Sequence, residues 1–178
     1  MEVVKFPNSP TEWKLTPKNM RETIADLMKT IKVVRSYDIP YLAGYSVDGL
    51  TFYVDSDVEP MPYEDRAIDI VPFFMLHEFV EKSILLLLKK QGVIIEGAYM
   101  IAHQVAYAAE TMAIEMEKID RKAYDAFWMG LLKKAGDKKD PKCPPDLDIE
   151  PYKDEKDYEV IKKIVKGEKE EAAESAAA

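Results

Sequence analysis

Apolar residues recur at helical spacing through several stretches of the chain. Met20, Ile24, Leu27, Met28 and Ile31 follow Thr16-Pro17, a capping residue with proline at the first helical position, and predict an amphipathic helix to about Val34. Pro72–Gln91, PFFMLHEFVEKSILLLLKKQ, reads as one long, mostly apolar helix ended by Gln91-Gly92. A second long helix is expected from about Glu96 to Ile119. Along it Ala102, Ala106, Ala109 and Ala113 form a small-residue stripe that lets a neighbouring helix approach closely. Tyr124, Phe127, Trp128, Leu131 and Leu132 fall at helical intervals within Arg121–Lys134, which stops at Gly136. A short last helix is expected at Asp157–Val165.

The period changes after Tyr37. Tyr41–Ser46 and Leu50–Asp55 are rich in aromatic and β-branched residues, and Val47-Asp48-Gly49 between them is a hairpin signal. A loop with Pro60 and Pro62 leads to the long helix. Residues 1–15 read as an irregular arm, broken by Pro7 and Pro10 and anchored by Trp13. Asp140–Tyr152, DPKCPPDLDIEPY, holds four prolines in thirteen residues and is expected to run extended over the surface. The tail GEKEEAAESAAA has nothing to bury and is expected to be disordered. The pattern therefore predicts one globular domain over residues 1–166, with residues 167–178 as tail. It is mainly α with an α+β character: about five helices, one antiparallel hairpin packed on the His77 helix, and an extended proline-rich segment.

Composition narrows the function classes. At 178 residues the chain can bury a core without disulfides. A formal charge of −8, from 33 acids and 25 bases, argues against nucleic acid or an anionic membrane as the main partner. Lys133, Lys134, Lys138 and Lys139 are diluted by Asp137 and Asp140 and do not make a basic patch. A single cysteine, Cys143, fits a reducing compartment. The N-terminus MEVVKFPNSPTEWK lacks the layout of a signal peptide, and Ile84–Leu88 is too short to span a bilayer, so a cytoplasmic protein is expected.

Candidate chemistry lies in the polar insert His77-Glu78-Phe79-Val80-Glu81. His77 and Glu81 are four apart and share a helix face; Glu78 is turned roughly 100° from His77. An imidazole and a carboxylate at that spacing suit a divalent metal, and a neighbouring carboxylate can take a proton from a water that the metal acidifies. The chain has only two histidines, and the other, His103, lies in the next apolar helix. Tyr99, Tyr107 and Glu110 share its face, at −4, +4 and +7. Glu110 is a candidate fourth ligand or a carboxylate that orients His103, and Tyr107 or Tyr99 a candidate donor to a developing oxyanion. Asp55 and Asp57 are further candidates for reaching a metal. The structural alternative pairs Glu78 with Lys82 on a wet face beside Lys89, makes His77 a boundary residue and His103 a bonded core histidine.

A hairpin, a helix bearing His77-Glu78, and a second helix with His103 resemble the minimal core of gluzincin-type zinc metallopeptidases, whose helix motif is His-Glu-x-x-His and whose third ligand is a glutamate of the following helix. The resemblance implies His77 and Glu81 as ligands, Glu78 as general base, and His103 in place of the downstream ligand. Glu81 stands where the family has its second histidine, so the ligand set is permuted. The likeness runs from Tyr41 to Glu110. Lys142-Cys143-Pro144-Pro145-Asp146 is similar in outline to the cysteine switch of matrix metalloproteinase propeptides. Here, however, it follows the metal motif and carries proline where that family has glycine. A free cysteine buried in a packed loop is the plainer expectation.

Over the whole chain, Tyr37-Asp38-Ile39-Pro40-Tyr41, the His-Glu helix, Ala102-His103-Gln104, Pro144-Pro145-Asp146-Leu147-Asp148 and Pro151-Tyr152 resemble a group of uncharacterised bacterial and prophage-encoded proteins. That resemblance implies a complete single domain and assigns no activity. Two functions follow as expectations. One is a small metal-dependent hydrolase, peptidase-like, with zinc (iron or manganese as alternatives) and a peptide or small-molecule substrate aligned by a hairpin edge strand. The other is a non-enzymatic phage-type accessory or interaction protein whose His/Glu cluster is structural. A non-haem iron site suits the same ligands but ranks last.

Overall fold

A computed structural model describes residues 4–5, 12–13, 20–92 and 97–149, together with Glu159, Lys162, Lys163 and Lys166. The fold is an α+β mix of helices and small sheets. Two short strands, β1 (Val4–Lys5) and β2 (Glu12–Trp13), pair antiparallel. The first helix, α1 (Met20–Thr30), buries Met20, Thr23 and Leu27, and Ile31 closes its apolar stripe. Thr16-Pro17, the tail and most of Asp157–Val165 lie outside the described residues. Glu159, Lys162 and Lys163 from that last stretch are helical.

Helix α1 does not continue to Val34. The chain turns at Ile31 and becomes strand β3 (Lys32–Tyr37), which pairs in parallel with β5 (Thr51–Asp55). Val33 and Val34 are β-branched and favour a pleated strand once a partner edge exists. Strand β4 (Ala43–Tyr45) pairs antiparallel with β5 in the register Ala43↔Val54, Gly44↔Tyr53 and Tyr45↔Phe52. The expected hairpin is therefore part of a three-stranded sheet of order β3-β5-β4. Its turn is held by Asp48, whose carboxylate accepts from Ser46 Oγ at 2.6 Å and Leu50 N at 3.0 Å. The Pro60/Pro62 stretch, expected to be a loop, forms a second small hairpin, β6 (Met61–Tyr63) with β7 (Arg66–Ile68). Proline is tolerated there because a two-stranded ribbon consists of edges only.

Three helices then follow. In α2 (Val71–Lys90) proline sits at the start, where its missing N–H costs nothing, and the first half of the helix is buried. Next come α3 (Ala98–Met116) and α4 (Arg121–Gly136). Asp120 caps α4 by accepting from Ala123 N at 2.9 Å, a contact whose loss costs about 1 kcal/mol. The alanine stripe faces inward: Ala102, Ala106, Ala109 and Ala113 are all buried, which lets α3 approach α2 closely. The hairpin is tied to α2 by Tyr45 OH donating to Met75 O at 3.4 Å and by Lys82 Nζ donating to Ser46 O at 3.3 Å.

The proline-rich segment is built into the fold and does not merely lie over it. Val47 N donates to Asp146 O, and Asp148 N donates to Tyr45 O, both at 2.8 Å. Leu147 is buried with Ile39 and Tyr53. Asp148 holds the buried Lys82 ammonium at 2.7 Å. Gly44 packs tightly opposite this segment: a Cβ there would stand 3.2 Å from Leu147 and 3.3 Å from the Tyr41 ring, so both side chains would have to give by a few tenths of an ångström.

Candidate metal centre

Helices α2 and α3 bring both histidines together. His77 Nε2 lies 3.1 Å from His103 Nδ1 and 3.7 Å from Glu81 Oε2, while His103 Nδ1 and Glu81 Oε2 are 3.0 Å apart. The point equidistant from these three atoms in their plane is about 1.9 Å from each. That is close to the roughly 2.0–2.2 Å at which such ligand atoms hold a divalent ion, so His77, Glu81 and His103 could hold one. The triangle therefore has the dimensions of one face of a tetrahedral site.

Protons satisfy the same triangle only in part. If His103 donates to Glu81, the His77 Nε2 lone pair receives at best a shared hydrogen. If His77 donates to His103, the Nδ1 lone pair faces a carboxylate oxygen at 3.0 Å. If both nitrogens carry protons, both turn to the same Glu81 oxygen, which His103 Nδ1 reaches at 3.0 Å and His77 Nε2 only at 3.7 Å. A cation at the centre removes the conflict. Glu81 adds an independent sign. Its side chain is 2% exposed, yet Oε1 takes no hydrogen bond from the described residues. A buried carboxylate oxygen left unbonded is costly unless a cation or a water neutralises it.

Glu110 orients the site, but through His77 and not, as expected, through His103. The helices run antiparallel here, so moving back along α2 from Glu81 to His77 means moving forward along α3 from His103 to Glu110. His77 Nδ1 donates to Glu110 Oε2 at 2.7 Å, which turns Nε2 toward the triangle. Tyr124 of α4 donates to the other Glu110 oxygen, Oε1. Carboxylate, imidazole and ligand atom thus form a chain anchored in a third helix. Tyr124 carried no signal in the sequence beyond its place in an apolar stripe.

Electrostatics follow from burial and pairing. Burial alone would lower the pKa of His77, but bonds to Glu110 and Glu81 outweigh it and push the ring up to about 10. Burial would raise Glu81, yet its bonds to His103 and His77 hold it below the ordinary carboxylate value. Glu78 moves the other way: burial first, and then the charge of Glu81, hold it well above its ordinary value. Neighbouring carboxylates on one turn are thus shifted in opposite directions.

The site opens into a cleft of about 260 Å³. Its walls include Tyr41, Phe74, Tyr99 and Trp128, and His77, Glu78, His103 and Glu110 line it. Tyr99 stacks on His103, with ring centroids 5.6 Å apart. Tyr107 lines the cleft, but its hydroxyl donates to Asp125 at 3.0 Å and accepts from Arg121 at 3.1 Å. Its proton is directed away from the His77–Glu81–His103 triangle. Lys82 is buried and pairs with Asp148 at 2.7 Å, so it is not the solvent-facing residue expected beside Glu78.

Other sequence candidates lie elsewhere. Asp55 and Asp57 bind Lys138, at 2.9 and 3.1 Å. Cys143 donates to Asp38 O at 3.3 Å, and burial followed by the charges of Asp38 and Asp55 pushes its thiol up to about 11. A thiol held protonated is a poor ligand. The outer edge of β4 is already taken from Tyr45 to Val47 by the 146–148 segment, which rules out strand addition along that length. No helix of the described residues is long and apolar enough to cross a membrane. Compared with protein-family models, curated proteins and solved structures, the chain matches none of them.

Proposed function

We propose that the chain is a small metal-dependent hydrolase, peptidase-like in its machinery, in which His77, Glu81 and His103 hold a divalent ion. Zinc is the first choice, with iron and manganese as alternatives. The observation that carries the reading is the convergence of three ligand atoms on one point, beside a buried Glu81 oxygen that has no hydrogen-bond partner among the described residues. When bound, such an ion supplies Lewis acidity that polarises a carbonyl and acidifies water. Glu78, on the same turn and facing the cleft, is the general base. Its raised proton affinity suits a group that must take a proton during the reaction. Glu110 fixes the ring orientation of His77, and Tyr124 fixes Glu110.

The test is Glu78→Gln, assayed on peptides and small esters after zinc loading. Hydrolysis requires that the variant keep its metal and thermal midpoint while turnover falls by a factor of about 10² or more. A variant that turns over like the wild type removes Glu78 from the mechanism.

A second reading is favoured by one feature: the His77–Glu110–Tyr124 and His103–Glu81 bonds link three helices without any ion. In that case the chain is a non-enzymatic accessory or interaction protein of phage type, and the cluster is structural. His103→Ala then lowers stability, Glu78→Gln changes little, and no wild-type turnover is found.

A further inference from the structure

Resting on the reading of this cleft as a substrate site, we infer that it selects a small ligand bearing a protonated amine beside an aromatic or apolar group, and rejects anions. Three features of the cleft lead there.

The first is its charge. Among the described residues no lysine or arginine lines it, whereas Glu78 and Glu110 do and Glu81 lies directly behind the two histidines. These carboxylates converge on the cleft with no lysine or arginine among the described residues lining it to offset them. The field in the metal-free cleft is therefore negative. An anionic phosphoester or carboxylate would enter against it, in a pocket whose apolar walls weaken screening.

The second is the chemistry of the walls. Tyr41, Phe74, Tyr99 and Trp128 line the same cleft as Glu78 and Glu110. Aromatic faces carry negative charge density and attract ammonium groups, most strongly where water is excluded. A cation beside an apolar body satisfies both wall and floor; a neutral apolar ligand satisfies only the wall.

The third is size. A cleft of about 260 Å³ falls at the small end of ligand pockets and holds one ring with a short side arm. A run of extended peptide does not fit that volume. The neighbouring strand offers no alternative track, because segment 146–148 closes its edge from Tyr45 to Val47. The substrate class is accordingly a small amine derivative or the amine-bearing end of a longer chain.

The experiment compares phenethylamine, 2-phenylethanol and 3-phenylpropionate, which share a ring and differ in charge. Each is titrated into the full chain, metal-free and zinc-loaded, while the ring signals of the two histidines are followed by NMR. In the metal-free protein the amine should bind about tenfold more tightly than the alcohol, and the carboxylate more weakly than either. Trp128→Leu, which keeps an apolar wall, should narrow the gap between amine and alcohol. Equal binding of amine and alcohol, or tighter binding of the carboxylate to the metal-free protein, overturns the inference. The two forms separate the claims. Amine preference in a protein that takes up no zinc leaves this inference standing and removes the hydrolase. Zinc uptake without amine preference does the reverse.

Discussion

Two carboxylate-rich clusters in this chain are built on opposite principles. Around Lys138, the carboxylates of Asp38, Asp55 and Asp57 stand 2.8, 2.9 and 3.1 Å from Nζ, and Ser56 Oγ stands at 3.2 Å. The positive charge at the centre is supplied by the chain itself, on a lysine 100 residues from Asp38. Around His77, Glu81 and His103, the converging atoms are one carboxylate oxygen and two ring nitrogens, and no lysine or arginine lines the cleft they face. One cluster is a closed staple that fastens the end of α4 to the sheet. The other brings two ring nitrogens and a carboxylate oxygen close enough together that they could hold a metal ion, with no lysine or arginine among the described residues lining the cleft. Carboxylate density alone does not mark a metal site; what separates the two is whether a side-chain cation already fills the centre.

The largest effect should come from breaking the staple. Asp55 is 1% exposed, so Asp55→Ala removes one of the three carboxylates around Lys138 and the acceptor of the Ile39 and Asp57 N–H groups, and should cost about 3 kcal/mol in urea unfolding. Zinc binding should be unchanged. A fall in zinc affinity with Asp55→Ala would mean that the two clusters are not independent. On the other side of the comparison, Glu110→Gln should weaken zinc by about 10- to 100-fold, because the His77 ring loses the charged acceptor that orients it. Tyr124→Phe acts one bond further away and should have a smaller effect in the same direction. Calorimetric titration separates the two.

The smallest effect is a pH dependence. The bond from Lys138 first, and then that from the Lys142 N–H, hold Asp38 below its ordinary carboxylate value. A carboxyl whose folded pKa is depressed contributes stability that is complete above its unfolded value of about 3.9 and is lost as pH falls through the folded one. The urea midpoint should therefore drop between about pH 5 and pH 3 more steeply in the wild type than in Lys138→Met. Equal slopes would remove Lys138 as the cause of the shift.

Much of the His77–Glu81–His103 group was legible in sequence because its parts obey local geometry. His77 and Glu81 share a face by spacing alone, and a chain with two histidines leaves little choice of third ligand. The alanine stripe announced the close helix approach that joins them. Glu110 was legible as a residue on the face of His103, but its partner was not. Which side chain it meets depends on the antiparallel register of α2 and α3, and neither helix encodes that by itself. The same limit hid β3, whose valines become a strand only because the edge of β5 is there to pair with them. It also hid the contacts of Lys138 with Asp38 and of Lys82 with Asp148, which join residues distant in sequence. Pattern reveals what a segment can be; the long-range pairs record which partner it found.

The central claim is that the His77, Glu81 and His103 side chains form one cation site shared by two helices. It is tested most directly by the zinc content of untagged protein purified without chelator, with His77→Ala, His103→Ala and Lys138→Met measured alongside. The account predicts about one equivalent in the wild type and in Lys138→Met, lost from both histidine variants. No metal in the wild type after reconstitution with zinc, iron or manganese, or metal retained by either histidine variant, would contradict it.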